Sequence, residues 1–346
     1  MRPNVLVIGL GGIGTVAALS MELNDKADVS VIVRNQDEEF LQKGFLFDSV
    51  SFGKTSYKPR VAYKCVDEVG DVFFDYVVVC TKNLPDSKLP CERLIAPAIK
   101  PGTCIVLIQN GLDIEVPVLN KFPNNLVISG ISLTGAWRYG NNVKHIAPDE
   151  VSFGIFKANS IPRHEAQPIF DRFVDAYKRD DAIITIDDNV ELSRWYKLCY
   201  NAVFNTTCTV LNVDVTRCHI AVGNNSIFRK LCYEVVDIAK SAGYVLEPER
   251  VEYILHKSDG RFYRPSMQID RDKNQLLELE VIMGNPLRIA ERNGISAPNL
   301  MMIYNMLKII QFDIREKQGE FKINPDDFRD VSGEDAPKVF KRIHGN

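Results

Sequence analysis

The chain has 346 residues, 45% of them apolar and 25% charged, with a net charge of −3. At roughly 150 residues per domain this length suggests two domains, and the balance is that of a globular chain rather than a disordered one. So slight an acidic excess supplies no basic field for nucleic acid or an anionic membrane, and a small-molecule partner is expected.

The first stretch, "NVLVIGLGGIGTVAALSM" at 4–21, runs from a β-rich segment at 4–9 through Gly9, Leu10, Gly11, Gly12, Ile13 and Gly14 into a helical pattern. A G-x-G-x-x-G match carries weight in that context. Gly9 permits a tight turn, Gly11 lets backbone approach a pyrophosphate, and Gly14 lets the helix pack closely on the strand. The phosphate charge then meets the positive helix N-terminus. A bare turn would need only one such glycine, so a dinucleotide is expected. The next β-rich segment, 28–34, ends on Arg34, where an NAD-binding protein usually carries a carboxylate for the ribose hydroxyls. A guanidinium there can grip a 2′-phosphate, which favours NADPH. The alternative is a solvated strand-end arginine, with Asp37 and Glu38 close behind.

Further β-rich segments follow at 75–82, 103–109, 125–133, 150–156 and 181–187, with helical or mixed connections between the early ones. Near-continuous Val/Ile runs joined by crossovers predict an α/β fold with a doubly wound, parallel sheet. After about residue 187 four helical patterns follow, two of them ending on glycine where a helix would be capped. The division expected is a dinucleotide-binding domain at 1–187, an all-helical domain at 188–318, and a polar tail at 319–346 that hugs the surface or moves freely. Eight scattered cysteines without C-x-x-C spacing predict reduced thiols and a cytoplasmic setting. Arg2 ahead of the first apolar run imitates a secretory leader, but glycines interrupt the run and "ELNDKAD" follows. No membrane span is expected, since no window approaches ~18 unbroken apolar residues.

In the helical half, Lys197, Asn201 and Asn205 recur every fourth residue, so on an α-helix each is turned only about 40° from the last. Their neighbours Trp195, Leu198, Cys199, Val203 and Phe204 are apolar, the pattern of a buried helix. A lysine and two amides on its one polar stripe need partners or a wet cleft. The competing reading is a solvent-facing stripe, although such a stripe more usually carries Glu and Lys pairs. Ser266 falls at a helix N-terminus, and Glu278 follows twelve residues later among Leu276, Leu277 and Leu279. From the residues alone, Glu278 is either an inward carboxylate or an ordinary surface glutamate. The five histidines share no ligand spacing, so no metal site is expected.

Taken together, the glycine loop, "IQNG" at 108–111, "WYKLCYNAVFN" at 195–205 and "PSMQID…ELEVIMG…NGI" at 265–295 resemble the ketopantoate reductase family over roughly residues 4–310. The resemblance implies an NADPH-dependent 2-oxoacid reductase. It further implies a Rossmann domain followed by an all-helical domain, an active site in the cleft between them, and reduction of 2-dehydropantoate to pantoate in coenzyme A biosynthesis. By position, Lys197 resembles the catalytic lysine and Glu278 the active-site glutamate. Asn201 and Asn205 match substrate-contacting amides, and Ser266 the serine at the substrate carboxylate. Lys82 and Asn110 match residues at the nicotinamide end, and Arg34 the arginine at the 2′-phosphate. Three departures touch the substrate pocket. Thr206 stands where the family has proline, Met283-Gly284 where it usually has Asn-Gly, and only Asn212 lies near the place of a further asparagine. The alternatives are a reductase of another branched or aromatic 2-oxoacid, and a non-catalytic NADPH-binding regulator. Whether the chain forms a homodimer is left open by the sequence.

Overall fold

The computed structural model describes residues 2–33 and 43–345, so Arg34 lies outside the described residues. Twelve strands are present among them: β1 (Asn4–Ile8), β2 (Asp28–Ile32), β3 (Phe45–Ser49), β4 (Gly53–Tyr57), β5 (Val61–Tyr63), β6 (Tyr76–Val79), β7 (Cys104–Leu107), β8 (Val127–Ser132), β9 (Ala136–Tyr139), β10 (Asn142–His145), β11 (Glu150–Ile155) and β12 (Ile183–Ile186). All seven β-rich segments read from the sequence are strands. Eight strands form one sheet in the order β12-β11-β8-β7-β6-β1-β2-β5. From β8 to β5 every pairing is parallel, with Val5 opposite both Val29 and Tyr76. The expected parallel sheet ends at β8, because β11 runs antiparallel to it and β12 parallel to β11. The reason is the connection: β8 and β11 are joined through the β9–β10 hairpin rather than through a helical crossover.

Strands β4-β3-β10-β9 make a second sheet, against which the helix Gly12–Leu23 packs through β9 and β10. None of these four, nor β5, was legible in the sequence. They are short, and in β3 only Phe45, Phe47 and Ser49 turn inward while Leu46 and Asp48 face out.

Alternate side chains of β1 feed two cores, as strand geometry requires. Val5 and Val7 join Phe153, Phe173 and Tyr177 under the helices Gly12–Leu23 and Arg163–Tyr177. Leu6 and Ile8 belong to a second core that continues into Trp195, Leu198, Phe204 and Phe228. One face of the sheet is thus continuous with the core of the helical half.

That half begins with the helix Val190–Tyr200, runs through a π-helical turn at Asn201–Asn205 and resumes as Thr206–Leu211. Later come Phe228–Ser241, Ser266–Asp272, a second π turn at Glu280–Gly284 continuing as Asn285–Arg292, and Pro298–Lys317. The polar C-terminal stretch is not featureless. Its helix Ala336–His344 sets Phe340 5.0 Å from Phe312 and 4.9 Å from Phe321, ring centre to ring centre, and so docks on the helix Pro298–Lys317. The eight cysteines are unpaired. No helix among the described residues is long and apolar enough to cross a membrane.

Candidate active site

In parallel sheets ligands lie beyond the carboxyl ends of the strands. Here the residues following β1, β6 and β7 and the last residue of β8 share that edge: Gly9, then Lys82 with Asn83, then Asn110, then Ser132. Gly9 adopts φ +99°, and a Cβ on it would come within 2.5 Å of the Thr81 backbone nitrogen. A Cβ on Gly14 would lie 2.0 Å from the Gly9 carbonyl oxygen, and one on Gly12 2.3 Å from that of Ala136 in β9. These three glycines are therefore fixed by close backbone approach. Gly11 is different, since nothing lies within 4 Å of where its Cβ would be. It is also the N-cap of the helix Gly12–Leu23, which has neither a side-chain cap nor an acidic residue in its first turn. An open approach to an uncapped helix N-terminus fits a pyrophosphate. Leu10 is buried and Ile13 half-buried, so both serve the loop through packing.

Across the edge stands the stretch 270–278 of the helical half. Glu278 is buried, its Oε1 accepting from the Asn83 backbone N–H at 3.0 Å and its Oε2 from Asn110 Nδ2 at 2.9 Å. Burial pushes its proton affinity up, the two hydrogen bonds pull it back, and Asp270 adds to the rise. The carboxyl faces inward rather than out to solvent. Of the helical pattern that spans 274–294 in the sequence, the part before Leu279 is not helical, and Glu278 hands its carbonyl to the Ile282 N–H at 3.2 Å. Lys82 reaches over to the same stretch, pairing with Asp270 at 2.7 Å and donating to Gln275 Oε1 at 3.1 Å.

The polar stripe lies on the first helix of that half. Lys197 is half-buried and donates from Nζ to the Ser132 carbonyl at 2.6 Å, at the end of β8. Burial lowers its proton affinity from the ordinary 10.5 to about 7. The Arg194 and Lys257 charges push the same way, and Glu278 opposes them. Asn201 and Asn205 are buried within the π turn, and Asn205 Nδ2 donates to Asn201 Oδ1 at 3.3 Å and to Ser266 Oγ at 3.2 Å. Ser266 opens the helix Ser266–Asp272 and is itself exposed. The structure thus joins Asn201, Asn205 and Ser266 in one polar group, and Asn110 with Glu278 in another, while Lys197 spans to the sheet edge. An amine titrating near 7 can both hold and release a proton at neutral pH.

Several participants were not read from the sequence. The Asn83 N–H and the Ser132 carbonyl are backbone groups, which no residue type announces. Asp270 carried a signal, four positions after Ser266 on its helix. Arg194, three residues before Lys197, is 4% exposed and bonded on two edges. Of the three departures, Thr206 is fully buried and turns its hydroxyl onto the Ala202 carbonyl at 2.6 Å, and Met283 is fully buried in the core. Asn212 ends the helix Thr206–Leu211 at φ +56° and accepts from Arg264 Nη2 at 2.8 Å.

Comparison with known proteins agrees with this architecture. The chain matches the family models described as Ketopantoate reductase PanE/ApbA over residues 5–158 and Ketopantoate reductase PanE/ApbA C terminal over residues 189–311. An uncharacterized protein of Saccharomyces cerevisiae is 33% identical, the match covering 92% of this chain and 97% of that protein. A 2-dehydropantoate 2-reductase of Nostoc sp. is 26% identical, with 92% and 98% covered. The crystal structure of 2-dehydropantoate 2-reductase from Methylococcus capsulatus superposes with a TM-score of 0.75 at 28% identity, over 90% of this chain and 97% of that one. Sheet, helical half and both family models coincide along the chain, which belongs to the ketopantoate reductase family.

Proposed function

We propose that the protein reduces a 2-oxoacid, 2-dehydropantoate foremost, to the corresponding 2-hydroxyacid with NADPH, in a cytoplasmic setting. The observation that carries this reading is the Lys197 amine, brought to about 7 and aimed at the carboxyl edge of β8. The loop from Gly9 to Gly14 would hold the pyrophosphate, Arg34 the 2′-phosphate, and Lys82 and Asn110 the nicotinamide end. When bound, the reduced nicotinamide supplies the hydride for the 2-oxo carbon. Lys197 donates its proton to the oxygen that becomes the hydroxyl, and its positive charge stabilises the negative charge building there. Arginine could not do this near neutral pH, because it does not release its proton. Glu278 orients Lys197 or accepts from the nascent hydroxyl, and Ser266, Asn201 and Asn205 hold the carboxylate and carbonyl.

Thr206 and Met283 are packed away among their own helices, which supports 2-dehydropantoate over a differently shaped acid. A lysine brought to about 7, with the buried Glu278 carboxyl within electrostatic reach, supports an enzyme over a regulator. The test is a panel of 2-oxoacids, each with NADPH and with NADH, for the wild type and for Lys197→Ala. The wild type should prefer 2-dehydropantoate and NADPH. The variant should lose about 10²- to 10⁴-fold in kcat while its NADPH affinity stays within a few fold. Undiminished turnover by Lys197→Ala would remove it as the acid, and tight NADPH binding without turnover of any acid would favour the regulator.

A further inference from the structure

We propose that Arg194, held by Glu115, is the positioning residue that fixes Lys197 and Asn110 relative to each other. This rests on the reading of Lys197 as proton donor. The Arg194 and Glu115 side chains are 3% and 0% exposed and meet at 2.6 Å from Nε to Oε1. The same Nε donates to Ser129 Oγ at 2.8 Å, and Ser129 Oγ donates to Glu115 Oε1 at 2.6 Å. On the other edge of the fork, Nη1 donates to the carbonyls of Gln109 at 3.0 Å and Gly111 at 3.1 Å.

Those two carbonyls flank Asn110, whose amide holds Glu278. Ser129 lies on β8, whose last residue, Ser132, supplies the carbonyl that holds the Lys197 amine. Arg194 itself is three residues before Lys197 on the helix Val190–Tyr200. One guanidinium therefore ties the helix bearing the proton donor to the middle of β8, three residues before its carbonyl anchor, and to the segment just past β7 that carries the amide at the nicotinamide end. A buried ion pair is a weak source of stability, since desolvation offsets most of the attraction. Fixing registry is the role that suits it. Only a planar fork reaches all four acceptors, so lysine is not equivalent. The fixed charge also helps keep the Lys197 amine near neutrality.

Two variants test this. Arg194→Lys keeps the charge and loses the fork; Arg194→Met with Glu115→Gln removes both charges and orphans neither. For Arg194→Lys, kcat should fall about 10- to 100-fold, as a displacement near 1 Å costs in enzymes generally, with NADPH affinity and the KM for the acid within about threefold. In the double variant the alkaline limb of kcat should move to higher pH, because the repelling charge next to Lys197 is gone. Melting of each variant is followed in parallel. If either variant lowers only the melting temperature and leaves kcat and its pH limb in place, Arg194 merely holds the fold and the proposal fails. The Lys197 titration can also be read without turnover, by NMR of protein labelled with 13C-lysine. Should the wild type reduce no 2-oxoacid, the functional reading falls. An upward shift of the Lys197 titration in the double variant would still support the coupling, and an unmoved one would overturn it.

Discussion

Burying the Lys197 amine lowers its proton affinity from 10.5 to about 7, and the same shift makes stability depend on pH. Below pH 7 both the folded and the unfolded chain carry the charge, and the fold bears the full cost of desolvating it. Between about 7 and 10.5 the unfolded chain binds more protons than the folded one, so stability rises with pH through that window. Replacing Lys197 by methionine should therefore raise the melting temperature most near pH 7 and below, with the gain fading toward pH 10.5. Melting curves across that range check it, and a gain independent of pH would mean that charge burial is not its source. A gain in stability on replacing Lys197 would match the proton-donor role proposed for it, since functional groups are often held at a cost to the fold. The sequence disclosed the residue but not its state. Lys197 was legible because apolar neighbours on every side left one polar stripe. Its lowered proton affinity depends on a tertiary neighbourhood that no spacing reveals. Glu278 was ambiguous for the same reason, and two contacts decide it, Asn110 and Asn83, which are 168 and 195 positions away along the chain.

At the scale of elements, the glycine loop divides into positions that hold the turn and one that faces open space. Gly14→Ala would put a methyl 2.0 Å from the Gly9 carbonyl oxygen, a backbone contact that cannot swing aside. Overpacking of this kind costs about 1–3 kcal/mol or more. Gly11→Ala meets nothing within 4 Å and sits at φ −74°, which alanine adopts freely. Gly11→Ala should melt with the wild type yet bind NADPH at least tenfold more weakly, whereas Gly14→Ala should lose melting temperature first. Melting curves and NADPH titrations separate the two, and full affinity in Gly11→Ala would take the pyrophosphate away from this loop. The loop was legible because its chemistry depends on missing side chains in sequence order. The π turns were not. On a regular α-helix the stripe would drift by about 40° at every fourth residue, but the π turn at Asn201–Asn205 changes that rotation where Asn201 and Asn205 meet. A π turn is set by what the helix packs against, and such turns gather at functional sites. The β9–β10 hairpin escaped for a simpler reason. Its four-residue strands carry exposed Trp137 and Tyr139, so they show no apolar run.

For the whole molecule, the texture change near residue 187 separates two kinds of structure without separating two cores. The sheet face that carries Leu6, Ile8, Val77 and Leu107 shares one apolar cluster with Trp195, Leu198 and Phe204. Within the first 187 residues, the segment Cys91–Leu94 and the helix Glu115–Lys121 lie on the side of that cluster, but β8 and β11 are overlain by Val190–Tyr200. The fit there is close, since a Cβ on Gly154 of β11 would lie 2.7 Å from the Val190 Cβ. Farther along, Leu112 donates its N–H to the Val281 carbonyl at 2.9 Å, and Arg315 pairs with Asp86 at 2.6 Å. Apolar surface removed from water contributes about 25 cal/mol per Å², and a fragment ending at Asp187 would return part of it to solvent. Such a fragment should bind hydrophobic dyes, aggregate and lack a sharp melting transition, while the full chain melts in one step. It should also lose NADPH affinity, because Glu278, the partner that orders Asn83 and Asn110, lies on the missing half. A soluble fragment that melts cooperatively and binds NADPH like the full chain would make the first half an independent domain. The carboxyl edge of its strands would then be ordered without help from the helices, and Glu278 would act on the substrate alone.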